Sequence, residues 1–263
     1  MTTSESIHKF KPDPVVLIEG VAKSFVVGEK LLPILDKVSM RVGEEEFVSL
    51  IGPSGCGKST LFNIICGLER PDRGQVVLAG NENLRAVDAV SYMPQKDLLL
   101  PWRTVLDNVI LAREVAGEGG DKSRKAAEEL MPLFGLAGFE RSYPAELSGG
   151  MRQRAALMRT MLAHRSILLL DEPFGALDAI TRTKMQKWLL EVWNKLRRAV
   201  FFITHDIEEA IFLSDRVYVL TPRPARVALH LNVTLPRPRR YECVTAPDFL
   251  MLKKEIMQAL TSV

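Results

Sequence analysis

The chain has 263 residues, 47% of them hydrophobic and 25% charged, which is enough apolar material for a sizeable core without staples. Its 35 basic and 32 acidic residues leave a formal charge of +3, too balanced to argue for a nucleic-acid partner, and no basic block stands out. Cys56, Cys66 and Cys243 lack zinc or redox-pair spacing and read as free thiols; no apolar run approaches the ~20 residues of a membrane helix, and "MTTSESIHKFKPDP" does not read as a secretory signal.

In chain order, "VVLIEGVAKSF" predicts a strand and "ILDKVSMRV" a second one with alternating pattern. "EFVSLIG" predicts a short apolar strand that runs into a glycine-rich loop, and "STLFNIICGL" a helix that stops near Gly67. "GQVVLAG" and "VSYMPQ" predict two more short strands. From about Lys96 to Arg165 the pattern is mostly helical. "TVLDNVILAREVAG" and "DKSRKAAEELMPLFGL" are amphipathic, and "SGGMRQRAALMRTMLAH" opens with Ser148 as an N-cap. The strand–helix rhythm then returns. "SILLLDEP" and "AVFFITHD" predict strands buried on both faces of a parallel sheet, with the helix "AITRTKMQKWLLEVWNKLR" between them. After "RVYVLT" and "RVALHLNV" come a link, "LPRPRR", and an amphipathic tail, "DFLMLKKEIMQAL".

Gly52, Gly57, Lys58 and Ser59 fit G-x-x-x-x-G-K-[ST], between a strand and a helix as that motif requires. Small residues let the loop Gly52, Pro53, Ser54, Gly55, Cys56, Gly57 turn backbone N–H groups toward phosphate oxygens, and the helix start adds its positive dipole end. Lys58 is expected to reach the β- and γ-phosphates, the Ser59 hydroxyl to bind Mg2+, and Thr60 to lie near the α-phosphate. The place of Cys56 inside the loop predicts that a bulky thiol reagent blocks nucleotide. The loop alone leaves kinase, GTPase and motor ATPase open.

The end of "ILLLDEP" places Asp171 and Glu172 where open α/β sheets bind ligands. Asp171 is the expected metal ligand, and Glu172 the general base for water. His205 ends another buried strand and is expected at the γ-phosphate. Gln95 follows "VSYMP" and is expected to reach water and, weakly, the metal; a hinge-loop role is compatible. His164 and His230 read as structural, and His8 as part of the tail. In "LSGGMRQR", Ser148, Gly149 and Gly150 present a second set of bare amides at a second helix start. Two cradles for one nucleotide make sense if two copies pair head to tail and sandwich each ATP.

At this point the sequence resembles the ATP-binding cassette (ABC) ATPases, over roughly Val15 to Val233. "GPSGCGKST" is similar to the Walker A loop, "ILLLDE" to the Walker B strand, "LSGGM" to the signature and "GALD" to the D-loop. The resemblance implies an α/β fold: a P-loop NTPase core with a parallel sheet, an N-terminal antiparallel β subdomain and a helical subdomain at about 96–165. It implies a tail at 1–14, an ATPase domain at 15–233, and a C-terminal linker and helix at 234–263. It makes His205 the switch histidine and Gln95 the Q-loop glutamine. Phe25 falls where an aromatic residue stacks on adenine. Asp178 and Met151 join the nucleotide-binding set by motif position. Met151 departs from the usual glutamine of the signature, and Arg165 from a proline often found before the Walker B strand.

"DLLLPWRTVLDNV", "YPAELSGGMRQRAALMR" and "DEPFGALDAITR" resemble ATPases of nitrate, sulfonate, taurine and bicarbonate importers; those for thiamine precursors and riboflavin are similar. The resemblance implies ATP and Mg2+ as cofactors and a second copy of the chain as partner. It also implies an integral membrane permease and, indirectly, a solute-binding protein, with the chain peripheral on the cytoplasmic face of the inner membrane. Leu98, Leu99, Leu100, Pro101 and Trp102 are expected either to floor a groove for a permease helix or to pack under the helical insert. Two rivals stay open: a non-transport cassette ATPase and a small-molecule kinase.

Overall fold

The computed structural model describes residues 14–81, 84–175 and 177–261; residues 1–13, with His8 and all but the last residue of the tail expected at 1–14, and Ala176 of "GALD" lie outside the described residues. The elements are β1 (Val16–Val27), β2 (Lys30–Val42), β3 (Phe47–Ile51), α1 (Lys58–Ile65), β4 (Arg73–Leu78), α2 (Ala86–Ala89), β5 (Val90–Met93), α3 (Val105–Val115), α4 (Asp121–Leu130), α5 (Gly149–Leu162), β6 (Ile167–Asp171), α6 (Ala179–Leu196), β7 (Ala199–Ile203), α7 (Ile207–Leu213), β8 (Arg216–Leu220), β9 (Val227–Asn232) and α8 (Pro247–Thr261).

They build two sheets. One has six strands in the order β5-β6-β7-β3-β8-β9, and the other three in the order β2-β1-β4. The larger sheet is parallel except for β9, which runs antiparallel to β8. The smaller sheet is antiparallel. Every residue of β3, β6, β7 and β8 is buried, which explains runs that are apolar but for Ser49, Asp171 and Arg216. Alternate side chains still go to opposite cores. Phe47, Leu168, Leu170, Val200 and Phe202 face the helices α5 and α6. Val48, Leu50, Leu169, Phe201 and Ile203 pack with α1 and the antiparallel sheet.

The structure departs from the sequence reading in three places. β2 begins at Lys30, because Val26 and Val27 continue the hairpin and pair with Leu31 and Lys30 around a turn with Gly28 at φ +63°. α4 stops at Leu130 where the pattern runs to Leu136. Pro132 has no N–H for the next turn, and Met131, Phe134 and Leu136 enter the core through a turn instead. The "LPRPRR" link is a fastening. Arg239, whose side chain is 1% exposed, donates to the carbonyls of Ile211, Phe212 and Ser214 at the end of α7. Arg237 pairs with Asp215 at 2.8 Å, and Phe249 and Ile256 bury α8 against the same core. Before β6, where proline was the alternative to Arg165, His164 takes φ +51° and Arg198 braces the turn through Met161 O at 2.8 Å. Among the described residues no helix is long and apolar enough to cross a membrane.

Candidate functional site

The site is a consequence of strand order. β3, β7 and β6 are parallel neighbours, with Leu50 opposite Ile203 and Ile203 opposite Asp171. Met93 of β5 lies opposite Leu170. All four strands therefore end on one edge of the sheet, which carries the glycine loop, His205, the Asp171–Glu172 pair and Gln95.

The loop after β3 turns through Gly55 at φ +73° and Gly57 at φ +121°. A Cβ at Gly57 would stand 2.7 Å from Ile34 Cγ2, so glycine lets the loop lie flat on β2. α1 then starts with no side-chain cap, which leaves its first N–H groups for an anion. Lys58 is buried and folds back over the loop, donating to the carbonyls of Gly52 (2.9 Å) and Pro53 (3.1 Å). Neutral carbonyls thus hold the ammonium where phosphate oxygens would accept from it. These features fit a nucleotide triphosphate.

Asp171 is 4% exposed and accepts from the Tyr92 hydroxyl at 3.4 Å. Burial pushes its carboxyl above the usual range; a hydrogen bond from Ser59 opposes this, and the Glu172 charge adds to it. A buried carboxylate beside a hydroxyl is a hard oxygen pair that suits Mg2+, which keeps its remaining positions for phosphate and water. Glu172 takes the left-handed conformation, φ +46°, with its N–H on Ile203 O at 2.9 Å. Its Oε2 is 3.2 Å from both Gln95 Nε2, which donates to it, and His205 Nδ1. Three residues read from three separate strand ends meet at one oxygen.

Other expected site residues fare differently. The Cys56 side chain is 2% exposed and belongs to the core behind the loop, and burial pushes its thiol up. The loop presents the backbone of Cys56, not its sulfur, which removes the basis for blocking nucleotide with a thiol reagent. Phe25 is half-buried on β1, with the Lys23 ammonium 5.1 Å from its ring centre. Ser148 caps α5 by accepting from Met151 N at 3.3 Å; Ser148 and Gly149 are exposed. Met151 packs against the core. Asp178 caps α6, its Oδ1 accepting from Ile180 N and Thr181 N, and these bonds hold its carboxyl below the usual range. His230 stacks on Tyr218 and His164 lies beside Arg198, as structural histidines.

The five-residue stretch, expected either to floor a groove or to pack under the helical insert, divides between the two. Leu99 is buried in the core, while Leu98 and Trp102 are 57% and 73% exposed. An open groove of about 810 Å³ lies nearby, lined by Val87, Tyr92, Leu111, Val115, Arg159 and Arg165 among others. Sequence reasoning also missed Arg223, which donates from the β8–β9 turn to the carbonyl of Gly55. The signal was present: "TPRPAR" follows β8, which borders β3.

A family model described as ABC transporter matches residues 35–175. The chain belongs to the ABC transporter family. The formylaminopyrimidine import ATP-binding protein ThiZ of Halalkalibacterium halodurans is 46% identical over 73% of this chain and 75% of its own length. The taurine import ATP-binding protein TauB of Rhizobium johnstonii is 44% identical over 87% of this chain and 89% of its own. The dimeric bacterial ABC transporter cassette MJ0796 superposes with a TM-score of 0.73 at 31% identity, covering 84% of this chain and all of that one. The same cassette was also solved in a post-hydrolysis state with ADP and Pi, at a TM-score of 0.72. As an ABC cassette the chain binds and hydrolyses ATP.

Proposed function

We propose that this chain powers a solute importer, working as two copies that close on two Mg-ATP and pull on a separate membrane permease from the cytoplasmic face. The observation that carries this reading is the division of the site. The phosphate cradle and hydrolytic groups converge at the sheet edge, while Ser148 and Gly149 stand exposed on the helical subdomain. A head-to-tail pair brings one copy's signature onto the other copy's nucleotide, as the dimeric cassette supports.

Hydrolysis is mainly positioning and charge stabilisation. Lys58 and the α1 amides take the phosphate charge. Gln95 and His205 occupy Glu172 Oε2 and leave Oε1 to accept the water proton. Ser59 and Asp171 would hold Mg2+, which when bound neutralises phosphate charge. Phe25 receives adenine. The groove beside Tyr92 and Leu111 takes the permease helix, with Arg159 of its wall holding the Leu98 carbonyl.

The solute is a small sulfonate, taurine, nitrate or bicarbonate-like anion, the class favoured by the TauB likeness. A thiamine precursor is the second reading, favoured by the 46% identity to ThiZ. Vesicles holding the chain with its permease and solute receptor test both. ATP hydrolysis and uptake should rise with one of these solutes; hydrolysis that never responds to the permease would refute the importer reading.

A further inference from the structure

The loop that carries His205 is tied to α6 through a buried carboxyl that the hydrolytic scheme does not use. Glu209, in the first turn of α7, is 4% exposed. Its Oε2 accepts from the hydroxyl of Thr204, the residue before His205, and its Oε1 accepts from Gln186 Nε2 on α6 at 3.0 Å. The residue after His205 is held as well. Asp206 N donates to Thr204 Oγ1 at 3.0 Å, and Asp206 Oδ1 accepts from Glu209 N at 3.1 Å. One turn before Gln186, Arg182 donates to Leu177 O at 2.9 Å and stands 3.9 Å from Asp206 Oδ2. Its buried Nε has no partner.

We propose that Glu209 is a positioning residue for hydrolysis: its carboxyl locks Thr204, and through the Thr204 hydroxyl Asp206, to α6, so that the placement of α6 sets the distance from His205 to Glu172. This rests on the reading of His205 and Glu172 as the hydrolytic pair. Burying a carboxyl is costly, and apolar packing would hold α7 against α6 more cheaply. What packing lacks is direction. Two hydrogen bonds fix the Thr204 hydroxyl, and with it the chain direction into His205. α6 is capped by Asp178, the last residue of the stretch that resembles the D-loop. Moving that start moves Gln186 and Arg182, and the loop must follow.

The charged and titratable groups facing Glu209 are Arg182 on α6, with Asp206, His205 and Glu172 around the same small cavity. Burial pushes the Glu209 carboxyl up to about 7, Thr204 and Gln186 draw it down, Asp206 raises it and Arg182 lowers it. Glutamine at this position accepts from the Thr204 hydroxyl through its Oε1 and, with the Gln186 amide turned over, donates to Gln186 Oε1 from its Nε2, so the tether survives without the charge; alanine removes the tether.

The test combines turnover with the histidine ring resonances of the full chain, that of His205 being the one lost in H205A. In Glu209→Ala the His205 resonance should move while those of His164 and His230 stay. kcat should fall roughly 10- to 100-fold at unchanged ATP affinity, the scale of a misplaced catalytic group. Glu209→Gln should restore both. If Glu209→Ala does not fold, Gln186→Met cuts the α6 side alone and should move the same resonance. A His205 resonance and kcat at wild-type values in a folded tether variant, or equal shifts of all the histidines, would overturn the proposal. Normal turnover in H205A would instead refute the underlying catalytic reading, and the resonance data would still judge the tether.

Discussion

Two helix starts in this molecule carry similar chemistry and opposite surroundings. α1 opens on Gly57 with no side-chain cap, roofed by Lys58 and faced by Asp171. α5 opens on Ser148, which caps its own helix, with Gly149 in the open. Both offer bare amides to an anion; beside α5 the Arg152 guanidinium is already taken up by Leu147 O and Asp97, and only α1 is faced by the Asp171–Glu172 pair of the sheet edge. An amide-lined helix start is a contact, and becomes a hydrolytic site only where the sheet edge delivers charged groups to it.

The comparison breaks first at Glu172. E172Q should lower ATP turnover by about 10²- to 10⁴-fold, the range of general base catalysis, with ATP binding retained. At the other helix start, a bulky S148R should lower turnover by roughly 100-fold while the single chain keeps its ATP affinity; lost affinity in isothermal titration would assign Ser148 to its own copy's nucleotide. K58A should weaken ATP binding roughly 10- to 100-fold, as the loss of a charge-assisted contact does, without affecting the signature.

The smallest effect sharpens the link between the regions. The Glu209 carboxyl is raised from 4.5 to about 7 in the folded chain. Its contribution to stability is therefore fully present below about pH 4.5 and is lost as pH rises through about 7. Wild-type stability relative to E209Q should decline across that window by on the order of 3 kcal/mol and stay level above it, as denaturant unfolding at a series of pH values would show.

The catalytic edge was legible because each of its residues follows an apolar strand. Once "EFVSLIG", "SILLLDEP" and "AVFFITHD" are neighbours, their ends must meet. Less was legible where side chains answer to partners distant in sequence. Nothing local says that Cys56 turns into the core, that Asp178 spends its carboxyl on the α6 amides, or that Arg239 closes the end of α7. The hairpin tip escaped notice for the opposite reason. Val26, Val27 and Leu31 are apolar yet exposed, so alternation gave no sign of their pairing. Arg223 was hidden in a turn, visible only when β8 is set beside β3.

The central claim is that two copies share each nucleotide, and the association state of E172Q tests it most directly. In saturating Mg-ATP this variant should sediment as a dimer holding two ATP and return to single chains when nucleotide is removed. A species that stays single under those conditions, with its permease present, would contradict the account.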